Sequence, residues 1–152
     1  MRLTDCHNFH DFRELARRRL PGPIFDYIDG GADDEATLRR NTASFERCDL
    51  VPNVLRGVEN VDLSVTVMGQ KLATPFYCSP TALQRLFHHQ GEFAVAAAAA
   101  KYGTMFGVSS LGTVSIEELR GKYATPQVYQ FYFHKDRGLN PCHDATRQIG
   151  RH

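Results

Sequence analysis

No run of apolar residues in the 152-residue chain comes near the roughly 18 needed to span a bilayer, so a membrane-spanning helix is not expected. Charge of one sign is not in excess either. Eighteen basic side chains face seventeen acidic ones, a formal charge of +1. That balance argues against an electrostatic nucleic-acid binder, which usually shows a basic excess or stripe, and no nucleic-acid partner is expected. The opening Met1-Arg2-Leu3-Thr4-Asp5 is polar and lacks the apolar centre of a secretory signal. Cys6, Cys48, Cys78 and Cys142 have no framework spacing, which suits reduced thiols in a cytoplasm rather than disulfides. Cys6-His7 with His10 has metal-like spacing, but no second pair completes a tetrahedral set, so no metal is expected. What is present is enough for a core: 42% of residues are hydrophobic and 23% charged, in a chain of ordinary single-domain length.

The opening third reads as helical. Phe9, Phe12, Leu15, Ala16 and Leu20 fall near helical spacing with Asn8 as N-cap, and Pro21-Gly22-Pro23 ends the segment. Pro23 suits the first turn of a second short helix through Tyr27, which Gly30-Gly31 breaks. Asp33-Asp34-Glu35 is expected as the acidic first turn of a third helix reaching about Arg47. Arg17-Arg18-Arg19 reads as a solvated helix face. From Leu50 the period changes, and Val61 to Leu72 reads as a β-hairpin turning at Gly69-Gln70.

An alternation follows. Pro75 to Ser79 is a short strand of buried type, and Gly91 to Tyr102, with its alanines, is a helix closed by Gly103. Thr104 to Ser109 is a second strand, Ser115-Ile116-Glu117-Glu118 opens a second helix with a capping box, and Gln127 to Phe133 is a third strand. Strand and helix in turn imply parallel βα units, hence an α/β fold. The first strand-to-helix turn reads S-P-T-A-L-Q-R-L-F-H-H-Q-G-E, without the G-x-G-x-x-G of an open dinucleotide fold. A (β/α)₈ TIM barrel makes no such demand, but takes about 250 residues, so only its beginning fits here.

Six strings carry a family resemblance: F-D-Y-I-D-G-G-A-D-D-E-A-T-L-R-R-N from Phe25, S-P-T-A-L-Q from Ser79, G-E-F-A-V-A-A-A-A-A-K-Y-G-T from Gly91, V-S-S from Val108, S-I-E-E-L from Ser115 and Q-F-Y-F-H-K-D-R-G from Gln130. In this order they resemble the N-terminal portion of the FMN-dependent α-hydroxy-acid dehydrogenases and oxidases, the family of L-lactate dehydrogenase, glycolate oxidase and mandelate dehydrogenase. The resemblance implies an incomplete barrel of about three βα units (75–140) behind an N-terminal helical extension and hairpin (1–74). It implies FMN as cofactor, oxidation of a small 2-hydroxy acid to the 2-oxo acid, and a quinone, cytochrome or oxygen as electron acceptor. It further implies a cytoplasmic homo-oligomer, in some members peripheral on the inner face of the cell membrane.

Residue by residue, the resemblance makes Tyr27 a donor to the substrate carboxylate and Tyr132 the catalytic tyrosine beside the substrate hydroxyl. Pro80, Thr81 and Ala82 would pack by their backbone against the flavin, and Ser109 and Gln130 would make polar contacts to it. The residue types suit the task, since a phenol donates at neutral pH and a flavin needs apolar walls with a few hydrogen bonds. Gln130 and Tyr132, two apart on one strand, would point to the same face. Taken alone, each reads more plainly: Tyr27 as a partly buried structural tyrosine, Gln130 and Tyr132 as inward barrel residues, Ser109 as a strand-end partner of backbone. Two departures from the family pattern, Leu111 after the paired serines and R-L-F-H-H-Q after Gln84, bear on substrate and acceptor more than on fold. His88-His89 reads as a solvated loop pair.

After Gly138-Leu139-Asn140 the resemblance stops, and residues 141–152, P-C-H-D-A-T-R-Q-I-G-R-H, form an anomalous tail. A degenerate back-translation with its first base dropped reads R-A-M-M-Q-R-A-K-S-A-G, an amphipathic helix of the kind the family places there. The expectation is a frameshift at or near Asn140-Pro141. On that expectation the chain alone is inactive, binds FMN poorly and aggregates through an open strand edge. It would be a remnant, or a half-barrel needing a separately encoded partner. His143-Asp144, in this tail, is assigned no metal role.

Overall fold

The computed structural model describes residues 2–133 together with Lys135 and Asp136. The frameshift expectation and His143-Asp144 therefore lie outside the described residues. Contacts divide the chain into two compact units, Met1–Glu59 and Asn60–His152.

In the first unit, α1 (Phe9–Arg19) starts where Asn8 is expected to cap it, with Asn8 Oδ1 accepting the Asp11 N–H at 3.0 Å. Helix α2 (Gly22–Asp29) follows with Pro23 in its first turn and ends at Gly30. A bidentate pair joins them, Arg13 Nε and Nη2 donating to Asp29 at 2.5 and 2.7 Å. This contact, chiefly its hydrogen bonds, holds the Asp29 carboxyl below its usual range. The third helix corrects the sequence reading. Helix α3 spans Ala36–Ala43, and Phe45–Arg47 is a separate 3₁₀ turn. Asp33-Asp34-Glu35 precede the helix, with Asp33 and Glu35 at positive φ. The Glu35 carboxylate accepts the Gly31 N–H at 3.0 Å and the Glu35 N–H donates to Ala32 O at 2.9 Å. The acidic run is thus consumed in a turn after the two glycines.

The second unit opens with the hairpin β1 (Val65–Val67) and β2 (Gln70–Leu72), antiparallel with Val67 opposite Gln70. Its turn is Met68-Gly69, one residue earlier than expected. Both residues have positive φ, 50° and 76°, the backbone a two-residue type I′ loop requires.

The alternation then unfolds as α4 (Glu92–Lys101), β3 (Phe106–Ser109), α5 (Ile116–Lys122) and β4 (Gln127–Gln130). Strands β3 and β4 pair in parallel, Phe106 opposite Gln127 through Ser109 opposite Gln130. The expected first strand is reduced to one parallel bridge at Cys78, whose N–H donates to Met105 O and whose carbonyl accepts the Gly107 N–H. Pro75 and Pro80 lack the N–H groups that would lengthen that ladder. Strand β4 is also shorter than expected. Its last rung is the Ser110 N–H on Gln130 O, after which the segment following β3 turns as the Gly112 N–H bonds Ser109 O. Residues 131–133 therefore continue beyond the ladder.

Helix ends behave as local chemistry dictates. At the end of α4 the Thr104 N–H reaches Ala99 O at 2.9 Å and the Gly103 N–H reaches Ala100 O at 3.4 Å, with Gly103 at φ 62°. This is a Schellman closure, for which glycine is best suited. Ser115 and Glu118 form the reciprocal capping box at the start of α5. The core joins Ala96 and Ala99 of α4, Phe106 and Val108 of β3, Val114 and Leu119, with Tyr129 of β4 and Cys78 packed against it. The alanines are the reason α4 lies close on the strands. Burying Phe106, Val108 or Leu119 stabilises the unit by about 1.5–3 kcal/mol each.

Candidate functional site at the strand tips

Side chains alternate across a strand, so the core assigns the two faces of the β3–β4 pair. Phe106, Val108 and Tyr129 face the core that includes α4 and α5. Gly107 and Ser109, with Val128 and Gln130 opposite them, fall on the other face. On that face, at the C-terminal ends of both strands, the Ser109 and Ser110 hydroxyls approach Gln130 Oε1 at 3.5 and 3.4 Å. Ser109 is buried, and its Oγ accepts the Leu111 N–H at 3.1 Å. Among the described residues, no acceptor meets the two N–H donors of the Gln130 amide, while both hydroxyls stand at its Oε1.

The segment after Cys78 lies against the same strands. A Cβ placed on Gly107 would stand 2.7 Å from Pro80 Cδ and 2.8 Å from Pro80 N, so Pro80 rests directly on the β3 backbone. Thr81 and Ala82 are half-buried, and Thr81 O accepts the Gln84 Nε2 donor at 3.2 Å. The Leu83 N–H then donates to Leu111 O at 3.0 Å, tying this loop to the one beyond Ser109. The structure therefore brings together Pro80, Thr81, Ala82, Ser109 and Gln130. Tyr132 lies two residues past the end of β4 and is 59% exposed, a correction to its expected place within the strand. Tyr27 stands on α2 in the first unit, largely exposed.

An open groove of about 460 Å³ runs beside the tips, lined by Ser109, Ser110, Gly112, Thr113, Ser115 and Tyr129 among others. A second depression of about 540 Å³, between Val61–Ser64, Lys71–Ala73 and Gly103, holds none of the expected site residues. Sequence reasoning passed over Glu92. It is 1% exposed, and its carboxylate accepts the Thr113 N–H at 2.7 Å and the Thr113 hydroxyl at 2.5 Å. Burial opposes its ionisation, but those two bonds, with the N–H groups of Glu92 and Gln84, hold its pKa below the ordinary glutamate value. An acidic residue opening a predicted helix was visible in the sequence; that it would be buried was not.

Residues 16–142 match the family described as FMN-dependent dehydrogenase. The chain belongs to that family. An L-lactate dehydrogenase of Xanthobacter autotrophicus is 44% identical to it over 129 residues, 85% of this chain and 33% of the relative. Spinach (Spinacia oleracea) glycolate oxidase is 36% identical over 132 residues, covering 87% of this chain and 36% of the oxidase. The chain thus spans about a third of the length of the curated relatives it matches. Among solved structures of similar proteins, a putative lactate oxidase of Pediococcus acidilactici superposes with TM-score 0.84 at 33% identity, over 94% of this chain and 41% of its own. A mandelate oxidase structure gives TM-score 0.82 at 35% identity, over 93% and 40%. No helix among the described residues is long and apolar enough to cross a membrane.

Proposed function

We propose that this chain supplies the first wall of an FMN site in an enzyme that oxidises a small 2-hydroxy acid to the corresponding 2-oxo acid. The observation that carries the reading is the meeting of Ser109, Ser110 and Gln130 at the C-terminal ends of parallel strands, beside Pro80, on the face turned away from the core. Barrel enzymes place their chemistry at that end of the strands. In this reading Cys78, β3 and β4 are the opening strands of a (β/α)₈ barrel, the rest of which completes the site.

The residue types fit the group. Pro80, Thr81 and Ala82 offer a backbone wall close to β3, while the buried Ser109 hydroxyl and the Gln130 amide offer polar contacts at its edge. When bound, FMN supplies a ring that accepts two electrons from the substrate Cα–H. Tyr27 orients the substrate through its carboxylate. Tyr132 donates to the substrate hydroxyl oxygen and so holds the Cα–H in a reactive pose. The hydroxyl proton would pass to a base on the barrel strands that follow, and a quinone, a cytochrome or oxygen would be the final electron acceptor. The assembly is proposed to be a cytoplasmic homo-oligomer, in keeping with the family resemblance.

A fusion of residues 1–140 to the remaining barrel strands of the Xanthobacter relative tests this directly. The expected product is a yellow protein that turns over a small 2-hydroxy acid. Tyr132→Phe should retain the flavin and lose about 10²-fold in kcat/KM. A folded fusion that takes up no flavin, or a Tyr132→Phe variant of full activity, contradicts the reading.

A further inference from the structure

One buried carboxylate fixes a loop of the proposed flavin wall to the start of α4. Glu92 opens α4, yet its side chain reaches across to Thr113, in the loop that follows Ser109, and takes both the N–H and the hydroxyl of that residue. Gly91, the residue before Glu92, sits against the Gln84–Leu86 turn that follows Pro80-Thr81-Ala82, a Cβ there standing 3.2 Å from Arg85 N. The Leu83–Leu111 backbone bond runs parallel to this clasp. Both loops are cut to fit. A Cβ on Gly112 would stand 3.1 Å from Ser109 O and 3.5 Å from Glu92 Oε1, and one on Gly91, at φ +48°, would stand 2.7 Å from Arg85 Cγ and 3.4 Å from Thr113 Oγ1. A helix start needs no such device, because an exposed serine or aspartate caps it equally well. Burying a carboxylate is tolerated only where its oxygens are fully engaged.

We infer that Glu92 is a positioning residue of the flavin site, its carboxylate locking the loop that follows Ser109 to the start of α4, which in turn rests on the turn after Pro80–Ala82, so that both loops meet the ring at a fixed separation. This rests on the flavin reading above. Glu92 itself touches neither cofactor nor substrate and acts through Thr113.

Two measurements on Glu92→Gln, Thr113→Val and Thr113→Ser test it. In the 152-residue chain, amide hydrogen exchange at Leu83, Leu111 and Thr113 should rise about tenfold in Glu92→Gln and Thr113→Val, while Val108 and Tyr129 keep their protection. Thr113→Ser keeps both donors and should behave as the unaltered protein. In the flavin-loaded fusion, the first two variants should bind FMN about tenfold more weakly and shift its visible absorption band, and the serine variant should restore both. Exchange that rises equally at Val108 and Tyr129 marks mere loss of stability and overturns the inference, as does unchanged flavin affinity in the variants. A parent fusion that takes up no flavin overturns instead the flavin reading on which the inference rests.

Discussion

Gly107 shows how closely single residues govern this site. Its missing side chain lets Pro80 lie on β3, with Pro80 Cδ, Pro80 N and Cys78 O all within 3.0 Å of where a Cβ would stand. Two of these neighbours are backbone atoms and cannot swing aside. Gly107→Ala should therefore displace the Pro80–Ala82 loop and cost about 1–3 kcal/mol, read as a lowered denaturation midpoint. Flavin affinity of the fusion should fall with it. A variant equal to its parent in both would mean that Pro80 moves freely. At this scale the sequence was readable where a motif was contiguous: Pro80-Thr81-Ala82, Ser109 and Gln130 were named from their strings and are neighbours in space. Glu92 stands inside one of the same strings, but nothing local in G-E-F-A-V distinguishes a buried carboxylate from a solvated first-turn glutamate.

The elements follow local rules wherever those rules are self-contained. Ser115 and Glu118 satisfy each other's backbone donors, so the start of α5 needed no tertiary information. Ser115→Ala should cost about 1 kcal/mol, measured by chemical denaturation of the second unit, and Ser115→Asp should recover most of it. An alanine variant of unchanged stability would show that packing of Leu119, fully buried in the core, holds α5 alone. Where local rules competed, the sequence reading erred. Asp33-Asp34-Glu35 suit a helix start, yet Gly30-Gly31 allow a turn in which the Glu35 side chain bonds backward to Gly31, and the helix begins only at Ala36. The hairpin turn moved by one residue because pairing Val65 with Leu72 and Val67 with Gln70 leaves Met68-Gly69 as the loop.

Across the second unit as a whole, stability should carry the acid signature of Glu92. Its folded pKa lies below its ordinary value because, against the burial that opposes ionisation, Thr113 and backbone N–H groups favour the charged form. A group lowered in this way contributes stability that is present above its unfolded pKa and lost as pH falls through its folded one. The advantage of the parent chain over Glu92→Gln should thus be constant above about pH 5 and shrink as pH falls below about 4.3. Denaturation midpoints measured from pH 7 to pH 3 check this; a difference that does not vary with pH would mean that the carboxylate is not ionised in the fold.

The sequence by itself determined α1, α2, α4 and α5 with the caps at Asn8, Gly103 and Ser115, the parallel order of the second unit, and the strings that mark its family. These depend on neighbours within a few positions: a cap and its N3 residue, a glycine after the last turn, a strand's own alternation. Only the tertiary structure decided how long each strand pairs, that Tyr132 falls beyond the ladder, and that Glu92 spans from α4 to Thr113. Each of those depends on a partner far along the chain. A strand pairs only as far as its neighbour stays extended, and a carboxylate can be buried only where another loop brings it donors.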